Sequence, residues 1–210
     1  MAALELDPVR LTVSPVRRFP QLLAGLVLYG ASMAMMTRAG LGLDPWDVLA
    51  DGLTRHTGWT FGTAVAVASV FVLLLWIPLR QRPGIGTVLN VVVISVVVDL
   101  VRAVLPQQEA LGWRIPLLVG GVVLNGLATA AYVGTRLGPG PRDGLMTGLS
   151  ARTGLSVRLA RTLIEVTVVA VGWLLGGSVG LGTVLYAFSI GPLTQAFLPL
   201  VAWRYRAVRN

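Results

Sequence analysis

A chain of 210 residues in which 55% are apolar and 12% charged, with mean hydropathy +0.77, carries more apolar surface than a soluble domain can cover. Its formal charge of +8 rests on arginine with no lysine, and these arginines form no stripe beside stacking aromatics, so no nucleic-acid partner is expected. Cysteine is absent and His56 is the one histidine, which excludes thiol chemistry and disulfides and leaves no metal site or cofactor to expect.

Residues 1–18 are polar and lack an apolar run with a cleavage site, so they read as a cytoplasmic tail, with the first span acting as an uncleaved insertion signal. A bilayer core needs roughly 20 apolar residues per helix. Six segments supply them: 19–37, 60–79, 84–105, 115–134, 157–177 and 180–202. The first carries Tyr29-Gly30 among small residues that admit a close neighbour. Next, Asp44 stands at an N-cap position, Pro45 at the first helical position, Asp47 at the third, and Gly58 where a helix stops. The helix between would be roughly 20 Å long, too short to span, so it lies in the interface or dips in and returns. The third span opens on Gly84-x-Gly86-Thr87, read as helix-start and packing glycines, and ends with Asp99 and Arg102, spaced to pair on one face.

In the second half Asn125 takes the position of Tyr29, Gly140 takes that of Asp44, and Pro141, Arg142 and Asp143 follow. The fifth span bears Arg158, Arg161 and Glu165 at helical spacing, with Glu165 near its middle. An acid at that depth is costly and marks a functional candidate. The sixth contains Tyr186, Pro192, Gln195 and Pro199, and the prolines predict a kink.

The two halves are copies. A shift of 96 residues superposes Pro45 on Pro141, Asp47 on Asp143, Gly52 on Gly148, Thr57-Gly58 on Thr153-Gly154 and Gly84-Ile-Gly-Thr on Gly180-Leu-Gly-Thr. The organisation is a tail (1–18), a three-helix repeat (19–106), a second repeat (113–203) and a basic cytoplasmic C-terminus (204–210). Three spans per half is an odd number, so the second repeat runs inverted to the first. With both termini cytoplasmic, thirteen arginines fall inside and Arg38, Arg55, Arg102 and Arg114 outside, as positive-inside orientation requires. The expected fold is an all-α polytopic membrane protein, six transmembrane helices as an inverted 3+3 repeat, each half with one short non-spanning helix.

Inverted repeats with paired short helices describe many secondary transporters, whose helix N-termini point at a solute between the halves. On that reading Trp46, Asp47, Arg142, Asp143, Asn125 and Tyr29 bind a small polar or anionic solute, while Glu165, with Arg161 and Asp99, serves proton coupling. The plainer readings stand beside it: Asp47 and Asp143 bonding back to their helix caps, Trp46 and Trp59 anchored at headgroups, Glu165 neutralised by Arg161, and Asp99–Arg102 as a structural pair. Beyond lipids and the solute, the small-residue faces suit a homodimer or a partner membrane protein. The alternative functions are a scaffold or modulator of a partner enzyme and the substrate-binding subunit of a larger importer. With no Ser/His/Asp set, no enzyme is expected.

The stretch Gly40-Leu-Gly-Leu-Asp-Pro-Trp-Asp-Val-Leu49, its Gly52-Leu and Thr57-Gly58 tail, and Gly84-Ile-Gly-Thr87 resemble the YczE/YyaS/YitT-type bacterial membrane proteins from about residue 20 to 202. The resemblance implies a multi-spanning protein of the bacterial inner (cytoplasmic) membrane and brings no catalytic residues with it.

Overall fold

The computed structural model describes residue 9 and residues 13–203, and within these the chain forms eight α-helices. They are α1 (Pro15–Ala39), α2 (Pro45–Thr57), α3 (Phe61–Leu79), α4 (Ile85–Val104), α5 (Leu111–Val133), α6 (Pro141–Thr153), α7 (Val157–Leu174) and α8 (Leu181–Val201). Adding 96 to the first residue of each of α1–α4 gives the first residue of α5–α8.

Local chemistry sets the short helices. Asp44 Oδ1 accepts from Trp46 N and Asp47 N, both at 2.8 Å, and Pro45 follows it where no N–H is needed. Gly58 and Gly154 end α2 and α6 in the left-handed region, at φ 72° and 74°.

Five helices are long and apolar enough to cross a membrane: α1, α3, α4, α5 and α8. The fifth expected span, 157–177, corresponds to α7, whose 18 residues include Arg158, Arg161 and Glu165, and those charges set it apart from the five. Outward faces carry exposed Phe71, Leu74, Ile77, Val92, Val96, Leu181 and Phe188, an apolar belt suited to lipid. α8 continues through Pro192 and Pro199 as one helix.

α1 starts at Pro15, and Arg18 is fully buried, donating from Nε to Thr135 O at 2.8 Å and from Nη2 to Arg136 O at 3.1 Å. It ties the start of α1 to the α5–α6 connection. The rest of the expected tail apart from residue 9 and 13–14, and the basic segment 204–210, lie outside the described residues.

Packing repeats with the halves exchanged. α1 crosses α5 where Gly25 meets Tyr132 and Gly121 meets Met36, a pair itself 96 apart. Gly30 meets Val97 of α4, and Gly126 meets Leu193 of α8 in the same way. Each short helix reaches across: α2 packs on α7 and α6 on α3. The Gly-x-Gly-Thr motifs serve this exchange. Gly182 N donates to Leu41 O at 2.8 Å, and Gly86 N donates to Leu137 O at 3.0 Å. The loop glycines at these crossings, Gly42 and Gly138, hold φ of 114° and 126°, where a side chain is strained.

The exchange fails at one place. α3 and α4 pack together, whereas α7 and α8 scarcely touch.

Candidate functional site

Between the halves lies a cavity of about 660 Å³. Its walls include the N-termini of both short helices, Asp44-Pro45-Trp46 and Gly140-Pro141-Arg142-Asp143, joined by Tyr29 of α1, Tyr132 of α5, Arg161 and Glu165 of α7, and Tyr186, Thr194 and Gln195 of α8. Helices that each half sends into the other therefore meet head to head.

At the meeting point Arg142 Nη1 lies 3.3 Å from Asp44 Oδ2 and Nη2 lies 3.8 Å from Asp47 Oδ1, with the guanidinium 5.2 Å from the Trp46 ring centroid. Burial opposes the charge on Arg142, but Asp44, Tyr29 and Asp47 outweigh it and hold the group cationic. Asp47 is fully buried. Burial first, then the neighbouring Asp44, raises its carboxyl well above the ordinary carboxylate range, against the pull of Arg142. Neither Asp47 oxygen has a hydrogen bond, and neither does the buried Nε1 of Trp46.

On the facing helix end, Asp143 Oδ2 accepts from Tyr132 Oη at 2.7 Å, and Trp76 Nε1 donates to Pro141 O at 3.0 Å. Gly140 offers α6 no side-chain cap, so that terminus keeps backbone donors which Asp44 takes up on α2. Arg161 Nε donates to Glu165 Oε1 at 2.8 Å, and both side chains stay partly exposed at the cavity edge.

Of the residues singled out in the sequence, Tyr29, Trp46, Arg142, Asp143, Arg161 and Glu165 line this cavity. Asn125 stands behind the wall, donating to Ser32 Oγ at 2.8 Å and accepting from Tyr186 Oη at 3.0 Å, so it orients a lining tyrosine. Asp47 also sits behind the lining, beside Arg142. Asp99 is elsewhere, and its expected partner is wrong: Oδ1 accepts from Gly62 N at 2.7 Å, across the α3–α4 seam, while Arg102 lies over Phe61 at 4.5 Å. The α3 backbone offers Asp99 an unpaired helix-start donor, which outcompetes a neighbour on its own helix. Trp46 is 7% exposed, so it is no headgroup anchor. Neither N3 acid bonds back to its cap.

Sequence reasoning took Asp44 for a cap alone and passed over Tyr132. Asp44 caps with one oxygen and reaches Arg142 with the other. Tyr132 corresponds to Met36 in the other half, so the repeat gives no sign of it.

Residues 16–199 match the model of a family of unknown function (DUF6198). The chain belongs to that family. Among relatives of this DUF6198 protein, an "Uncharacterized protein" of Haemophilus influenzae is 41% identical over 181 residues, covering 86% of this chain and 83% of the relative. The "Uncharacterized membrane protein YczE" of Bacillus subtilis is 34% identical over 187 residues, covering 88% and 86%. The "Uncharacterized protein YyaS" of the same organism is 26% identical over 181 residues, covering 84% and 90%. No solved structure matches the chain. The YczE/YyaS resemblance therefore holds, and with five apolar helices of spanning length this DUF6198 protein is a membrane protein.

Proposed function

We propose that the protein is a small secondary transporter of the bacterial inner membrane, binding a small polar or anionic solute between two inverted halves. In this reading α7 spans the membrane together with the five apolar helices, its Arg161 and Glu165 accommodated at the cavity they line. Both termini are cytoplasmic, and the protein performs no catalysis.

The observation that carries the reading is the cavity itself. It is large enough for a metabolite, and its wall includes Trp46, the guanidinium of Arg142 and the uncapped start of α6. A solute carboxylate or phosphate would pair with the guanidinium and the free N–H groups of α6. The unequal seams supply the access route. Gly62 N and Asp99 pin α3 to α4, but their counterparts are Arg158 and Gln195, and α7 stands off from α8. In the assigned orientation the loose seam faces the cytoplasm and the tight one the outside. Exchanging which seam is shut would present the cavity to the other side.

Reconstitution into liposomes and a flux screen over small anions and polar metabolites tests this. Flux of one solute class that Trp46→Ala and Arg142→Gln both reduce at least tenfold is the expected result. Absence of any flux, with a stoichiometric membrane partner co-purifying, would instead favour the scaffold reading.

A further inference from the structure

We propose that Asp47 is a proton-binding site, and that Arg142 sets its occupancy by dividing its charge among Asp44, Asp47 and an anionic solute. The use of that proton in transport rests on the function proposed above; its chemistry does not.

A single guanidinium faces two fully buried carboxylates. Asp44 has the stronger claim: Oδ2 lies 3.3 Å from Arg142, and Oδ1 is held by two backbone N–H groups of α2. Asp47 is left with a 3.8 Å approach and no hydrogen bond on either oxygen. The other groups around it do not relieve this. On its own helix Asp51 adds negative charge and is engaged by Ser178 N and Oγ at 2.9 and 2.8 Å. From α4, Arg102 acts at longer range, lying over Phe61. Tyr29 of α1 and Tyr186 of α8 bring neutral hydroxyls into the same field. An ionised carboxylate buried with half a counter-ion is costly, and uptake of one proton, delivered from hydronium and leaving water, removes the charge. The raised titration range of Asp47 agrees.

Coupling follows from the shared guanidinium. A solute anion that draws Arg142 away from Asp47 tightens the hold on the proton, and loss of the proton draws Arg142 back. Glu165 is placed differently: Arg161 Nε donates to its Oε1 at 2.8 Å at the partly exposed cavity edge.

Infrared titration of the detergent-purified protein, without solute, tests the site. The wild type should show a protonated-carboxyl C=O band persisting above the ordinary carboxylate range, and Asp47→Asn, which copies the neutral acid, should lose it. Arg142→Gln should move the band's midpoint to higher pH, and Asp44→Asn, which frees Arg142 for Asp47, to lower pH. A band unchanged in Asp47→Asn, or midpoints unmoved in both other variants, overturns the proposal. Because no solute enters this experiment, a failed flux screen with an intact band would sink the transporter and leave the proton site standing.

Discussion

Arg142 stands over the ring of Trp46, the residue that occupies its own position in the other half. A residue can touch its repeat counterpart only where the two halves come together, so this pair marks the centre of the molecule. Identical residues there would either stack two rings or oppose two cations. The pairing of guanidinium with aromatic face avoids the repulsion and gains a cation–π contact of about 0.5–2 kcal/mol.

Removing Arg142 leaves Asp44 buried without a counter-charge and Asp47 without its nearest cation. Arg142→Ala should lower stability by about 3–5 kcal/mol. Adding Asp44→Asn and Asp47→Asn to that variant should restore much of the loss. Unfolding in detergent, followed by tryptophan fluorescence, measures both.

The α3–α4 seam is closed over a glycine. A Cβ at Gly62 would sit 2.0 Å from Ser95 O, a backbone atom that cannot swing aside. Gly62→Ala should part the seam. The chain has no cysteine, so Val65→Cys in the cavity wall gives a clean reporter. Its labelling by a membrane-impermeant thiol reagent added outside should rise severalfold in the Gly62→Ala background.

The crossings between halves should tolerate no side chain. Gly42 combines a φ of 114° with an approach of 2.7 Å to Gly180 N, so Gly42→Ala should cost at least about 1–3 kcal/mol. Gly191→Ala is the control, since a Cβ there meets nothing within 4 Å. Melting temperatures of the two variants should separate clearly, with Gly191→Ala matching wild type.

Stability should depend on pH through Asp47. Its carboxyl is raised in the folded protein, so folding favours the protonated form. That contribution is complete below the ordinary carboxylate range and is lost as pH rises through the raised value. The wild-type melting temperature should fall across that window, and Asp47→Asn should flatten the decline.

The sequence by itself determined the membrane character, the 96-residue repeat, the helix starts and the caps at Asp44, Gly58 and Gly154. Those are properties of neighbouring residues: hydropathy over one span, a side-chain oxygen reaching N–H groups two and three positions on, a glycine free to turn left-handed. Tertiary structure decided which charges meet. Asp44 and Arg142 are far apart in the chain and come together because each short helix packs into the opposite half. Asp99 looked committed to Arg102 by helical spacing, yet an unsatisfied N–H of α3 lay closer. Asp47 and Asp143 are equals in the repeat, but a tyrosine reaches Asp143 and no donor reaches Asp47. Spacing along a helix names the partners a charge could have, and burial among distant elements selects the one it gets or leaves it with none.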